Sequence, residues 1–135
     1  MEVILDSAFA LIEFYEEDAL VQITWKKINN MEFEEYKKAI ITGLEFQEKH
    51  PGKIRHYISD IQFQKRMSTE FKDWFVNEAM PRAKKNGLVS AAVTSGGNFF
   101  KRFYLRFIIR SSDRFGIRFK IFSKREDAIR WLKKY

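Results

Sequence analysis

The stretch "LVSAAVT" (Leu88–Thr94) decides how the rest of the chain is read. It is short and nearly all apolar, and it lies between Asn86-Gly87 and "SGGN" (Ser95–Asn98). A strand with one face in water alternates apolar and polar residues, whereas a strand covered on both faces does not. "LVSAAVT" is therefore expected in the middle of a sheet sandwiched between helices. Its neighbours in sequence should be those helices.

On the N-terminal side, "STEFKDWFVNEAMPRAKKNG" supplies one. It starts at Ser68, turns Phe71, Trp74 and Phe75 inward, and stops at Asn86-Gly87. Pro81 falls inside this pattern, where it removes one backbone hydrogen bond and should bend the helix. Before it, "IRHYISDI" (Ile54–Ile61) reads as a strand ending near Asp60. Earlier still, Phe33, Tyr36, Ile40 and Leu44 recur at three- and four-residue spacing, one face of a helix. Asn29 or Asn30 is its expected cap, Glu32, Glu34 and Glu35 occupy its first turn, and "HPG" (His50–Gly52) stops it. "AFALIEFY" (Ala8–Tyr15) and "ALVQITW" (Ala19–Trp25), joined by the polar turn Glu16–Asp18, read as a β-hairpin.

On the C-terminal side, "FFKRFYLRFIIRSSDRFGIRFK" (Phe99–Lys120) carries seven Lys or Arg and one acid. Arg102, Arg106 and Arg110 are four apart beside a stripe of Phe100, Phe103 and Phe107, which is helical spacing. A strand period fits the same residues. Ser95 or Asn98 as a cap, and the alternation of strands and helices before it, select the helix. "GIRFKIF" (Gly116–Phe122) follows as a strand. Ser123-Lys124-Arg125-Glu126 then reads as a capping box for a last helix with Ala128, Trp131 and Leu132 inward. The order ββαβαβαβα predicts an α/β domain over residues 1–135. Its sheet has five strands, mostly parallel, with an N-terminal antiparallel hairpin and four helices.

Composition bounds the function. The 135 residues suit one domain, and 45% hydrophobic content with fourteen Phe supplies its core. There is no cysteine, which removes thiolate nucleophiles, disulfides and Cys-based zinc sites together. "MEVILDSAFALIEF" starts acidic and lacks the basic flank of a signal peptide, and no apolar run approaches the ~20 residues of a membrane span. A cytoplasmic location is expected. The net charge of +7 is unevenly distributed: residues 1–50 hold 5 basic and 11 acidic side chains, residues 51–135 hold 20 and 7. Such halves can attract each other or match a partner's surface.

The stretches "EFYEEDALVQITWKK", "EEYKKAIITGLEF", "ISDIQFQKRMSTEFKDWFVNEAMPRAKKNGLVSAAV" and "KIFSKREDAIRWLKK" resemble the small stand-alone STAS-like domains related to bacterial anti-sigma-factor antagonists. The resemblance runs from about Ala8 to Lys134 and implies that fold and a regulatory role through protein–protein interaction. The antagonists' phosphorylation switch pairs an Asp at a strand end with an immediately following Ser or Thr. Here Asp60 matches the acid, but Ile61 and Gln62 follow it, and the first hydroxyls are Ser68 and Thr69. Ser68 reads first as a helix cap; a phosphate there would sit well at a helix N-terminus.

No catalytic constellation stands out. His50 and His56 lack a third ligand in sequence reach, and "TSGGN" (Thr94–Asn98) lacks the lysine and length of a phosphate-binding loop. No cofactor and no metal are expected, and the chain reads as non-enzymatic. The leading expectation is a protein that binds a partner or a second copy of itself, with Arg102, Arg106, Arg110, Asp60 and Ser68 as the candidate surface. The alternatives are a carrier of a small apolar or lipid-like ligand, walled by Phe71, Trp74, Phe75 and the bend at Pro81, or a polyanion binder through the arginine stripe. Nucleic acid is the weaker form of the last, because the aromatics of the stripe are better explained by core burial than by base stacking.

Overall fold

The computed structural model describes residues 1–26, 32–64, 68–96, 106, 110 and 113–135. Strands β1 (Glu2–Asp6), β2 (Ala10–Tyr15) and β3 (Leu20–Trp25) form an antiparallel meander. Helix α1 (Phe33–Lys49) leads to β4 (His56–Asp60). Helix α2, in three segments (Thr69–Trp74, Phe75–Ala79, Met80–Lys85), leads to β5 (Ser90–Thr94). The helical crossover α3, described at Arg106, Arg110 and 113–115, precedes β6 (Arg118–Phe122), and α4 (Arg125–Leu132) ends the fold. The strands lie in sequence order from β1 to β6, and every pair from β3 onward is parallel.

The sheet thus has six strands, not the five expected. The extra one, β1, is an edge strand with largely accessible residues and a register shift between Val3 and Leu5. So short and polar-flanked a segment offers little alternation to read. Ser7 sets the β1–β2 turn: its Oγ accepts from the Phe9 and Ala10 amides at 3.2 and 3.1 Å, which keeps Ala8 and Phe9 out of β2.

Strand order also dictates where the helices go. Right-handed crossovers between parallel strands that advance steadily in one direction place their helices on one face. Tyr36, Ile40 and Leu44 of α1 and Phe71 and Ala79 of α2 accordingly share a core with Ile12, Phe14, Val21, Ile23 and Val93. Phe115 of α3 packs on the same side, against Met80, Leu88 and Ile117. Among the described residues, α4 alone covers the other face, setting Ala128 and Leu132 on Leu20, Ile58 and Ala92. All five residues of β5 are buried, between parallel neighbours on both sides, as "LVSAAVT" requires.

Pro81 changes the helix before it. A proline ring crowds the carbonyl four residues back and has no N–H to offer. In α2 the turn Phe75–Ala79 widens into a π-helical segment, with the Met80 amide bonding Phe75 O, and α-helix resumes around Pro81.

The N-cap positions of α1 and α4 are Glu32 and Lys124. Glu32 makes no side-chain cap bond; Asn29 and Asn30 lie outside the described residues, as does Asn98. At α4 the N-cap is Lys124, again without a side-chain bond, so the Ser123/Glu126 capping box does not form. What anchors that end is Arg125, whose Nε donates to Gln22 Oε1 at 2.7 Å while its guanidinium lies 4.9 Å over the Tyr15 ring. A strong charged donor reaching the sheet fixes the first turn one residue later than the hydroxyl would.

Candidate functional site

The helices over the core face do not close on the sheet everywhere. Between them lies a cleft of about 60 Å³, partly open to solvent. Its floor comes from β3 (Val21, Ile23), β4 (Tyr57), β5 (Ala91) and β6 (Phe119), and its roof from α1 and α2. Protein interiors are normally packed as tightly as organic crystals, so an apolar space of this size needs a cause.

Four small residues contribute to it: Gly43 on α1, Ala79 and Ala83 on α2, and Ala91 on β5 all line the cleft. Gly43 is the informative one. It has no positive φ, and a Cβ built on it meets only Ile23 Cδ1, at an ordinary 3.9 Å. Neither backbone geometry nor close packing demands glycine there, yet glycine in a helix interior costs about 1 kcal/mol relative to alanine. What the missing side chain leaves is volume. The π-helical turn contributes too, since Phe75 and Ala79, at its two ends, both line the cleft. Such turns recur at functional sites.

The cleft is uncharged. No Asp, Glu, Lys, Arg or His is among its described lining residues, and its polar groups are those of Gln47 and Tyr57. Burial pushes the Tyr57 phenol well above its ordinary range, only partly opposed by a hydrogen bond with Ser59, so it stays neutral at any physiological pH. Ser59 Oγ in turn accepts from Trp25 Nε1 at 3.0 Å. Gln47 is 4% exposed, and its Nε2 donates to Ala83 O and Asn86 O, both at 3.2 Å, tying α1 to the end of α2.

The residues singled out in the sequence fall elsewhere. Asp60 Oδ1 accepts from the Gln62 amide at 3.0 Å, a local turn. Ser68 Oγ accepts from the Phe71 amide at 3.1 Å, a helix cap. Arg106 and Arg110 are helical and exposed, while Arg102 and the phenylalanine stripe beside it lie outside the described residues. Of the wall proposed for an apolar ligand, Phe75 lines the cleft; Phe71, Trp74 and Pro81 do not. His50 Nδ1 lies 2.8 Å from Phe46 O, and its ring stacks on Phe46. His56 Nδ1 lies 2.7 Å from Ser90 Oγ, a contact of the kind that activates a nucleophile, but Ser90 is 0% exposed and no substrate can reach it. Among the described residues no group of three or more His, Cys, Asp or Glu is placed to hold a metal, and no helix is long and apolar enough to cross a membrane.

Gly43 and Gln47 carried a signal that the reading of helix faces passes over. Gln47 continues the Ile40–Leu44 stripe as a polar residue on an apolar face, and Gly43 is a glycine in the middle of the helical pattern. No family model, no curated protein and no solved structure matches the chain.

Proposed function

We propose that the protein carries a small apolar or lipid-like ligand in the cleft beneath α1 and α2. The observation that supports this reading is Gly43. Glycine in a helix interior costs about 1 kcal/mol relative to alanine, and at this position a methyl group would meet no clash while taking up part of the cleft. Keeping a costly space open is understandable when something fills it. An uncharged lining suits a hydrocarbon body.

The test is native mass spectrometry of the purified protein, repeated after denaturation. The expected result is an adduct of hydrocarbon-rich mass that is lost on unfolding, or saturable uptake of an added alkyl probe by adduct-free protein. A clean mass combined with no saturable uptake sinks the reading.

A second reading, binding of a partner protein or a second copy, has the exposure of Arg106 and Arg110 in its favour. Its acidic counterpart is less available: within the turn Glu16–Asp18, Glu16 lies 3.3 Å from Lys53 and Asp18 lies 3.7 Å from Lys133. Exposed pairs of this kind hold only about 0–1 kcal/mol and can exchange for an intermolecular pair. Charge reversal at Arg106 and Arg110 that left every association of the protein unchanged would remove this reading. We propose a STAS-like relationship on the strength of the quoted stretches and the order of elements from β2 onward.

A further inference from the structure

Gln47 is the polar residue of the cleft whose hydrogen bonding is half complete. Two main-chain carbonyls take the hydrogens of its Nε2. Those bonds fix the orientation of the amide, because a flipped amide would set its oxygen against two other oxygens. The carbonyl oxygen Oε1 is thereby turned away from α2, and no donor among the described residues bonds to it. The residue is 96% buried and lines the cleft. Gln64 shows the contrast: both of its amide atoms are sealed from solvent and without partners, whereas Oε1 of Gln47 is not sealed in this way. Tyr57, the other polar side chain of the lining, has a hydroxyl that can donate as well as accept, so the group of the lining restricted to accepting is Gln47 Oε1.

We infer that the occupant carries a hydrogen-bond donor, a hydroxyl or an N–H, which seats on Gln47 Oε1 while its hydrocarbon body lies along Ile23, Tyr57 and Phe119. This rests on the carrier reading and narrows it. A side chain that can only accept, on the wall of an uncharged, apolar cleft, favours a neutral alcohol or amide head. It disfavours a carboxylate, which brings only acceptors and a charge that no cation in the lining offsets.

The test compares 1-hexanol, methyl pentyl ether and hexanoate, three probes of similar length, by NMR titration of the intact wild-type protein at neutral pH. The ether matches the alcohol in size but has no donor. The expected result is that hexanol binds about fivefold more tightly than the ether, the effect of one net hydrogen bond, with hexanoate weaker than hexanol. In Gln47→Met the alcohol and the ether should bind equally. This ratio is measured within one protein, so any loss of stability from the severed tie to α2 does not enter it; should that variant fail to fold, Tyr57→Phe decides, keeping the preference for the alcohol where Gln47 is the acceptor and losing it where Tyr57 is. Equal binding of alcohol and ether to the wild type, both abolished by the cleft-filling Gly43→Val, overturns the donor inference and leaves the carrier reading standing. No saturable binding of any probe, or binding indifferent to Gly43→Val, overturns both.

Discussion

Gly43 separates two accounts of the cleft at the scale of one residue. If the glycine is there to let α1 approach the sheet, a methyl group is a steric intrusion and Gly43→Ala loses stability. The 3.9 Å clearance to Ile23 argues otherwise. Alanine gains about 1 kcal/mol of helix propensity and fills part of an empty space, so Gly43→Ala should raise the denaturant midpoint by that amount. The same variant should take up less alkyl probe. Greater stability with weaker uptake is the pattern of a position held for binding. A loss of stability on chemical denaturation would instead make the glycine a packing requirement and remove the main support for the carrier reading.

At the scale of elements, two serines near helix starts make a controlled comparison. Ser68 caps α2 through the Phe71 amide, and losing such a bond costs about 1 kcal/mol. Ser123, which by sequence alone looks the better cap, has no such bond because the cap position of α4 belongs to Lys124. Ser68→Ala should therefore lower stability by about 1 kcal/mol, and Ser123→Ala should change it by less than about half of that, both read from denaturant midpoints. Equal losses would restore the capping box. The pair also marks how far the sequence could be read. The buried strand β5, the inward faces of α1 and α4 and the hairpin turn follow from period and turn chemistry, which act between residues close in the chain. The start of α4 follows from an arginine reaching Gln22 across the fold, and β1 follows from pairing with β2; neither leaves a local mark. The cleft was the least legible. Periodicity says that Gly43, Ala79, Ala83 and Ala91 face inward, but not that four small residues from three elements line one space.

For the molecule as a whole, the groups with displaced pKa values bound the pH range of full stability. His56, buried against Ser90, titrates below its ordinary 6.5 because burial disfavours the imidazolium, with the Arg55 charge adding to this and Asp18 opposing it. Unfolding restores the ordinary value, so the unfolded chain binds the extra proton first, and stability is lost as pH falls from about 6.5 toward the lowered value. Glu48 is held below its ordinary 4.5 chiefly by the hydrogen bonds of Arg82, whose Nε and one terminal nitrogen reach its two oxygens at 2.7 and 2.5 Å. Its contribution is complete above 4.5 and is lost as pH falls below that, a second decline in the same direction. On the alkaline side, burial raises Tyr36 and Tyr57 above 10.0. There the unfolded chain gives up its protons first, and stability falls as pH rises past 10. The expected profile is a plateau from about pH 7 to about pH 10 with a shoulder on the acid side, measured by urea unfolding across pH at constant ionic strength. His56→Gln should remove the decline that starts near 6.5 and leave the one below 4.5 in place. If the wild type instead gained stability between pH 7 and 5.5, His56 would be stabilised as the cation, and its packing against Ser90 would have to be of the opposite kind.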